Sequence, residues 1–228
     1  LEEGKELDKA IFILEDIIEK DPLSRRAYEL KSDVYYSLKQ YDNSINTLLK
    51  SFFKKNLNQK NLLLLASSYS DNDNYDSALY YYNKGVDLFP DDKESYNNRG
   101  DFYYDHEDYK SSISDYTNAI ELDDKDAGFY FDRADAYYEL EMYDDALRDY
   151  FKSIDIDPNN PEAYNSIALV YHNFLEDYQK AIEYYKKAFE LEEDPLYLTN
   201  IGKAFTYELD NYDSALYYFN KGVYLFPE

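Results

Sequence analysis

The chain has 228 residues, 30 of them Tyr and 13 Phe, no Cys and no Trp, and it carries a formal net charge of −24. Without Cys there are no disulfides and no thiol chemistry, and so many aromatic side chains rule out a chain that stays disordered. The acidic balance argues against nucleic acid, whose binders displace counterions with positive charge, and the longest apolar run, Leu62–Ala66, is too short to insert in a bilayer.

Leu1–Ala10 is charged and has no apolar signal-peptide core. The compartment stays open, with a soluble chain expected and the cytoplasm favoured, and the start at Leu1 rather than Met leaves room for a lost leader. Leu7, Ala10, Leu14 and Ile17 fall at helical spacing, which predicts a helix over 7–20 closed by Asp21-Pro22. Beyond it the chain repeats itself. Asn74–Pro90, NYDSALYYYNKGVDLFP, returns at Asn211–Pro227 as NYDSALYYFNKGVYLFP, an offset of four periods of 34 residues plus one. The array therefore reads as a partial unit at 1–24 followed by units at 25–58, 59–92, 93–126, 127–160, 161–194 and 195–228. Each unit holds two helices. First helices are predicted at 25–38, 59–72, 93–106, 127–140, 161–175 and 195–209, and second helices at 41–55, 75–89, 109–122, 143–156, 178–191 and 212–226.

With residues numbered from 1 to 34 within a unit, position 8 is small (Ser32, Ala66, Gly100, Ala134, Ala168) and position 11 is Tyr (Tyr35, Tyr69, Tyr103, Tyr137, Tyr171). Positions 20 and 27 are small again, as in Ala78 with Gly85 and Ala146 with Ser153, and positions 4, 17 and 24 carry large residues. Positions 4, 8 and 11 share one helical face, and positions 20, 24 and 27 share a face of the second helix. Small residues let the two helices approach, and large ones interdigitate beside them. Phase slips by one residue after Tyr171 and again before Tyr212, which predicts a longer first helix or turn in those two units.

This pattern resembles the tetratricopeptide family, a 34-residue helix–turn–helix repeat with small residues at positions 8, 20 and 27. Tyr or Leu stands here where the family has Trp at position 4, and Arg99 and Arg133 occupy position 7. The resemblance covers essentially the whole chain. It implies an all-α fold, an α-solenoid in the form of a right-handed superhelix, and a protein that binds other proteins. Both ends look truncated, so an excerpt of a longer protein is expected, with an apolar patch around Phe219, Val223 and Phe226 left exposed or covered by another copy.

No catalytic residues, cofactor or metal are expected. Most Tyr residues sit at positions 4, 11, 17 and 24, where packing explains them, whereas Tyr80 and Tyr217 at position 22 should face solvent. His106 and His172 lack a companion ligand set. Asp123–Gly128 has Lys125 and Ala127 where a calcium loop needs oxygen ligands, so it reads as a turn, as does Asp71–Asn74. Arg occurs at position 7 only where Asp occurs at position 23, which predicts the ion pairs Arg99–Asp115 and Arg133–Asp149.

In the family the first helices line a concave groove. The residues placed there are Asp33, Tyr36, Asp101, Tyr104, Asp105, Phe131, Asp135, Tyr138 and Glu139, an acidic and aromatic strip. The partner it suits is a basic protein or peptide segment, with Lys or Arg meeting a carboxylate and a ring together. A carboxylate clamp of Lys, Asn and Arg, present in some family members, is not expected, because the matching positions are largely acidic, apolar or small. The alternative is a structural or self-associating solenoid with no groove ligand.

Overall fold

The computed structural model describes residues 2–52, 58–209 and 211–227. Among these, 13 α-helices and no strands occur. They form two compact units, Leu1–His106 and Glu107–Glu228.

The first unit contains α1 (Glu2–Lys20), α2 (Arg25–Ser37), α3 (Tyr41–Phe52), α4 (Gln59–Ser70), α5 (Tyr75–Leu88) and α6 (Lys93–Asp105). Its core joins Ile45, Leu48 and Leu65 in one cluster and Leu63, Ala66, Ala78, Tyr82 and Phe102 in another. Small position-8 and position-20 residues lie where helices touch: Ser32 and Ser44 are fully buried, with hydroxyl oxygens 2.7 Å apart, and Ser44 reaches Ser68 at 2.9 Å.

The second unit contains α7 (Tyr109–Leu122), α8 (Ala127–Glu139), α9 (Tyr143–Ile156), α10 (Pro161–Asn173), α11 (Tyr178–Leu191), α12 (Pro195–Leu209) and α13 (Tyr212–Leu225). One core cluster gathers Ala134, Ala146, Leu147, Tyr150, Ile167 and Val170, and a second gathers Ala168, Ala181, Ile182, Tyr185, Leu198, Ile201 and Ala204. Tyr150 and Tyr185 are buried whole, so each removes a large aromatic area from water.

Helix starts follow the sequence signals. Asn58, Asn74, Asp92, Asp108, Asp126, Asn160, Asp177 and Asn211 each cap the next helix by accepting a backbone N–H. Part of the acidic charge thus serves capping, and both suspected loop motifs contain such a cap, Asp126 and Asn74. The first-to-second turn passes through a left-handed residue at position 15, namely Lys39, Asp73, Glu107 and Glu141, with φ of 55–60°. In the unit at 161–194 this residue is Glu176, one place later, so the slip lies in the turn and not in α10. In the last unit α12 itself is longer, running to Leu209. The first helices expected over 25–38, 59–72, 93–106, 127–140 and 161–175 end one or two residues early, at Ser37, Ser70, Asp105, Glu139 and Asn173. The α1 helix begins at Glu2, since its charged first turn carries no apolar period to mark it, and residues 53–55 of the expected 41–55 helix lie outside the described residues.

Candidate functional site

In the second unit Phe131, Asp135, Tyr138 and Glu139 lie along α8 at spacings that bring them to one face. Asp135 is largely buried, and the Tyr150 hydroxyl of α9 donates to it at 2.5 Å. Burial pushes its carboxyl up to about 6. The charges of Glu139 and Glu162 add to the rise, and the Tyr150 hydrogen bond opposes it. Phe131 packs against the same Tyr150 ring, with centroids 5.8 Å apart. Tyr138 meets Tyr143 edge-on at 5.8 Å and Phe174 at 5.5 Å, and Tyr143 stacks on Phe174 at 3.8 Å. Burial raises the Tyr138 hydroxyl pKa above the ordinary phenol value. Glu139 is exposed.

In the first unit Asp33 forms an ion pair with Lys60 at 2.8 Å, so part of its charge is already answered within the chain. Tyr36 packs edge-on against Tyr41 at 5.6 Å and donates to Asp71, and burial with that carboxylate holds its pKa well above the phenol range. Asp101 accepts from Asn97 at 3.3 Å, Tyr104 is half-buried and Asp105 is exposed. The charges of Asp101, Asp71 and Asp105 all act on the buried Tyr82 hydroxyl, whose pKa burial raises to about 12. Asp71, outside the expected set, is felt by both the Tyr36 and the Tyr82 hydroxyls of the first unit.

Two sets of tyrosines reach this face from the second helices. Position 24 is a core position, and Tyr82 and Tyr150 are indeed buried, yet their hydroxyls extend to position 9: Tyr82 to Ser67 at 3.1 Å and Tyr150 to Asp135 at 2.5 Å. Where position 9 is Leu169, the Tyr185 hydroxyl lies instead 3.4 Å from His172 Nδ1. Position 17 meets position 12 edge-on in Tyr36–Tyr41, Tyr138–Tyr143 and His172–Tyr178. The signal available in the sequence was the pairing of Tyr at position 24 with an oxygen-bearing side chain at position 9.

The Arg133–Asp149 pair is present and bidentate, Nε to Oδ2 at 2.6 Å and Nη2 to Oδ1 at 3.1 Å, with the side chains 13% and 3% exposed. Arg133 Nη1 also donates to Thr117 at 3.0 Å. Arg99 donates to Asn83 at 2.8 Å within the first unit, and its pairing with Asp115, a residue of the second, stays an expectation. Tyr80 and Tyr217 face solvent, at 58% and 61% exposure. Among the described residues no group of three or more His, Asp or Glu could hold a metal ion, and no helix is long and apolar enough to cross a membrane.

Tetratricopeptide repeat models match residues 63–116, 100–141, 134–173 and 161–195, and a model described as anaphase-promoting complex, cyclosome, subunit 3 matches residues 3–84. No curated protein sequence matches the chain. Among solved structures, the C-terminal part of a repeat-containing protein from Cytophaga hutchinsonii superposes with a TM-score of 0.78 at 19% identity, covering 99% of this chain and 92% of that one. PilF of Pseudomonas aeruginosa gives 0.74 at 17% identity over 89% and 92%. YrrB, described as having an unusual peptide-binding site, gives 0.62 at 17% identity over 81% and 94%. Similarity at these identities establishes the fold.

Proposed function

The chain belongs to the tetratricopeptide repeat family, and from that membership we propose that it is a non-catalytic scaffold whose first-helix faces hold an extended or helical, net basic protein segment. The observation that carries the reading is Asp135. A largely buried carboxylate whose pKa is raised to about 6, with Glu139 and Glu162 adding negative potential and no cation among its influences, is unfavourable in the free protein. A Lys or Arg from a partner would relieve it and could lie on the Phe131 and Tyr138 rings. The peptide-binding site named for YrrB is consistent with the class of ligand.

The test is fluorescence anisotropy with a panel of Lys/Arg-rich peptides and their Glu-substituted counterparts. Changing Asp101 and Asp135 to Asn, and Tyr104 and Tyr138 to Ala, should weaken the best basic peptide at least tenfold, about 1.4 kcal/mol. Binding should also fall as salt rises, since exposed charges are screened within about 8 Å at physiological ionic strength. Equal affinity for basic and acidic peptides, or unchanged binding by the folded variants, would overturn the reading. One observation favours the second reading, self-association through the C-terminal end: Val223 is 73% and Tyr224 83% exposed beside a cleft formed by Pro195, Phe219, Phe226 and Pro227. A concentration-dependent dimer lost in a Val223→Glu variant would support it, and a monomer at all concentrations would remove it.

A further inference from the structure

The turns from first to second helices follow a rule that one edge of the second unit breaks twice. Elsewhere they close on polar side chains: Lys39 and Gln40, Asp73 and Asn74, Glu107 and Asp108. Asn74, Asp108, Asp177 and Asn211 cap the second helices that follow them. At the same place before α9 stands Met142, which makes no cap hydrogen bond, so α9 forgoes that stabilisation. The turn after α10 carries an extra residue, and the two places before its left-handed Glu176 hold Phe174 and Leu175. Met142, Phe174 and Leu175 are 42%, 41% and 46% exposed.

The two departures meet. Tyr143, next to Met142, lies against Phe174 with ring centroids 3.8 Å apart and 22° between the planes, and Tyr138 closes on both rings edge-on at 5.8 and 5.5 Å. Met142, Tyr143, Phe174 and Leu175 thus form an apolar strip across two neighbouring turns, on the turn edge and not on the first-helix face. Polar residues fill these places in the other turns, so neither chain reversal nor helix contact requires the strip. A forgone cap and an inserted apolar pair break local rules without a gain in packing, and such breaks collect at functional sites. Exposed acids border the strip: Glu139, Glu141, Asp144 and Glu176, none ion-paired with Lys or Arg among the described residues. Their field reaches it, because the charges of Glu141 and Glu139 add to the desolvation that raises the Tyr143 phenol above its ordinary pKa. An apolar strip bounded by unanswered carboxylates complements apolar side chains bounded by cations, and a pliable Met adapts to their shape.

We propose that this turn edge docks a segment of a partner protein that presents two or three Leu-like side chains between Lys or Arg residues. The surface does not include Asp135, and it stands whether or not the first-helix face holds a ligand.

Met142 is the only methionine of the chain, so its isotope-labelled methyl group gives a single NMR signal from within the strip. The intact chain is titrated with N-acetyl-Lys-Lys-Leu-Ala-Lys-Leu-Leu-Lys-Lys-amide, with a form carrying Ser for every Leu at the same charge, and with a form carrying Glu for every Lys. The Leu/Lys peptide should move the Met142 signal to saturation and bind at least tenfold more tightly than either counterpart. Met142→Asn supplies the capping residue type of the sister helices, so it should keep the fold and weaken that peptide at least fivefold by fluorescence anisotropy. Equal binding of the Ser form would reduce the contact to attraction by net charge, and equal binding of the Glu form would remove the need for cations. A Met142 signal that moves with protein concentration alone would make a second copy the occupant. Each of these overturns the proposal, as does an unmoved Met142 signal or full affinity in the Met142→Asn variant.

Discussion

Replacing Asp135 with Asn should stabilise the free protein at neutral pH. In the folded chain the carboxyl titrates at about 6, against an ordinary carboxylate value of 3.8. The folded state therefore holds the proton more tightly than the unfolded chain does. The stability linked to Asp135 is fully present below about pH 4, declines as pH rises towards 6, and is lost above it. A folded-state pKa about 2 above the unfolded one corresponds to ~3 kcal/mol. Asn removes the charge at nearly constant shape, but its amide is a weaker acceptor for the Tyr150 hydroxyl and brings N–H groups that need partners. A net gain of ~1–2 kcal/mol at pH 7.5 is what remains. Repeat arrays need not unfold in one step, so a single melting temperature is the wrong assay. Amide hydrogen exchange of α8 and α9, with local opening energies compared for parent and variant at pH 7.5 and pH 4, isolates the effect. The gain should be present at the higher pH and vanish at the lower. A variant less stable than the parent at pH 7.5, or a gain independent of pH, would refute the reasoning.

Two further outcomes follow from packing. Arg133→Met leaves Asp149, 3% exposed, with only the longer 3.7 Å ion pair to Arg148, and should lower the local stability of α8 and α9 by ~3 kcal/mol, with Arg133→Met combined with Asp149→Leu recovering at least half; a loss under 1 kcal/mol in hydrogen exchange of α8 and α9 would show that Arg148 or water answers the charge. Gly202→Ala sets two effects against each other: helix propensity gains up to ~1 kcal/mol, but the new Cβ would stand 2.5–2.8 Å from three ring carbons of Phe219. Overpacking of that kind costs ~1–3 kcal/mol, so the variant should lose stability at α12–α13, and in a Phe219→Ala background the same change should become stabilising.

The core was legible in the sequence because it repeats. Small residues at positions 8, 20 and 27 mark helix contacts, and helices predicted at 109–122, 143–156 and 178–191 run to those residues. What escaped was what periodicity does not carry. An apolar period marks where a ring is buried, not where its hydroxyl ends, so Tyr82 and Tyr150 read as packing while their oxygens point to position 9. First helices end one or two residues early at most turns because a left-handed residue at position 15 or 16 stops them, and in four of its five occurrences that residue is Lys or Glu rather than Gly or Asn.

Helix contact and surface charge therefore occupy different positions of the same unit. Position 8 is Ser, Ala, Gly, Ala, Ala and again Gly202, because every helix pair must approach. Position 9, its immediate neighbour, runs Asp33, Ser67, Asp101, Asp135, Leu169, Lys203: Ser67 and Asp135 are engaged by buried position-24 Tyr hydroxyls, but the approach of the helices does not fix the charge there. A residue next to an invariant contact is held in a fixed place whatever its chemistry, so the repeat supplies precise positions at which charge can be chosen freely. In the second unit those choices place a strained acid at Asp135 and an unanswered cation at Lys203. A bound segment of uniform charge would satisfy one and be repelled by the other. Under the proposed function, a segment that fits both would carry basic and acidic residues at separate points, and an acidic scaffold would in that way discriminate among the basic segments its net charge attracts.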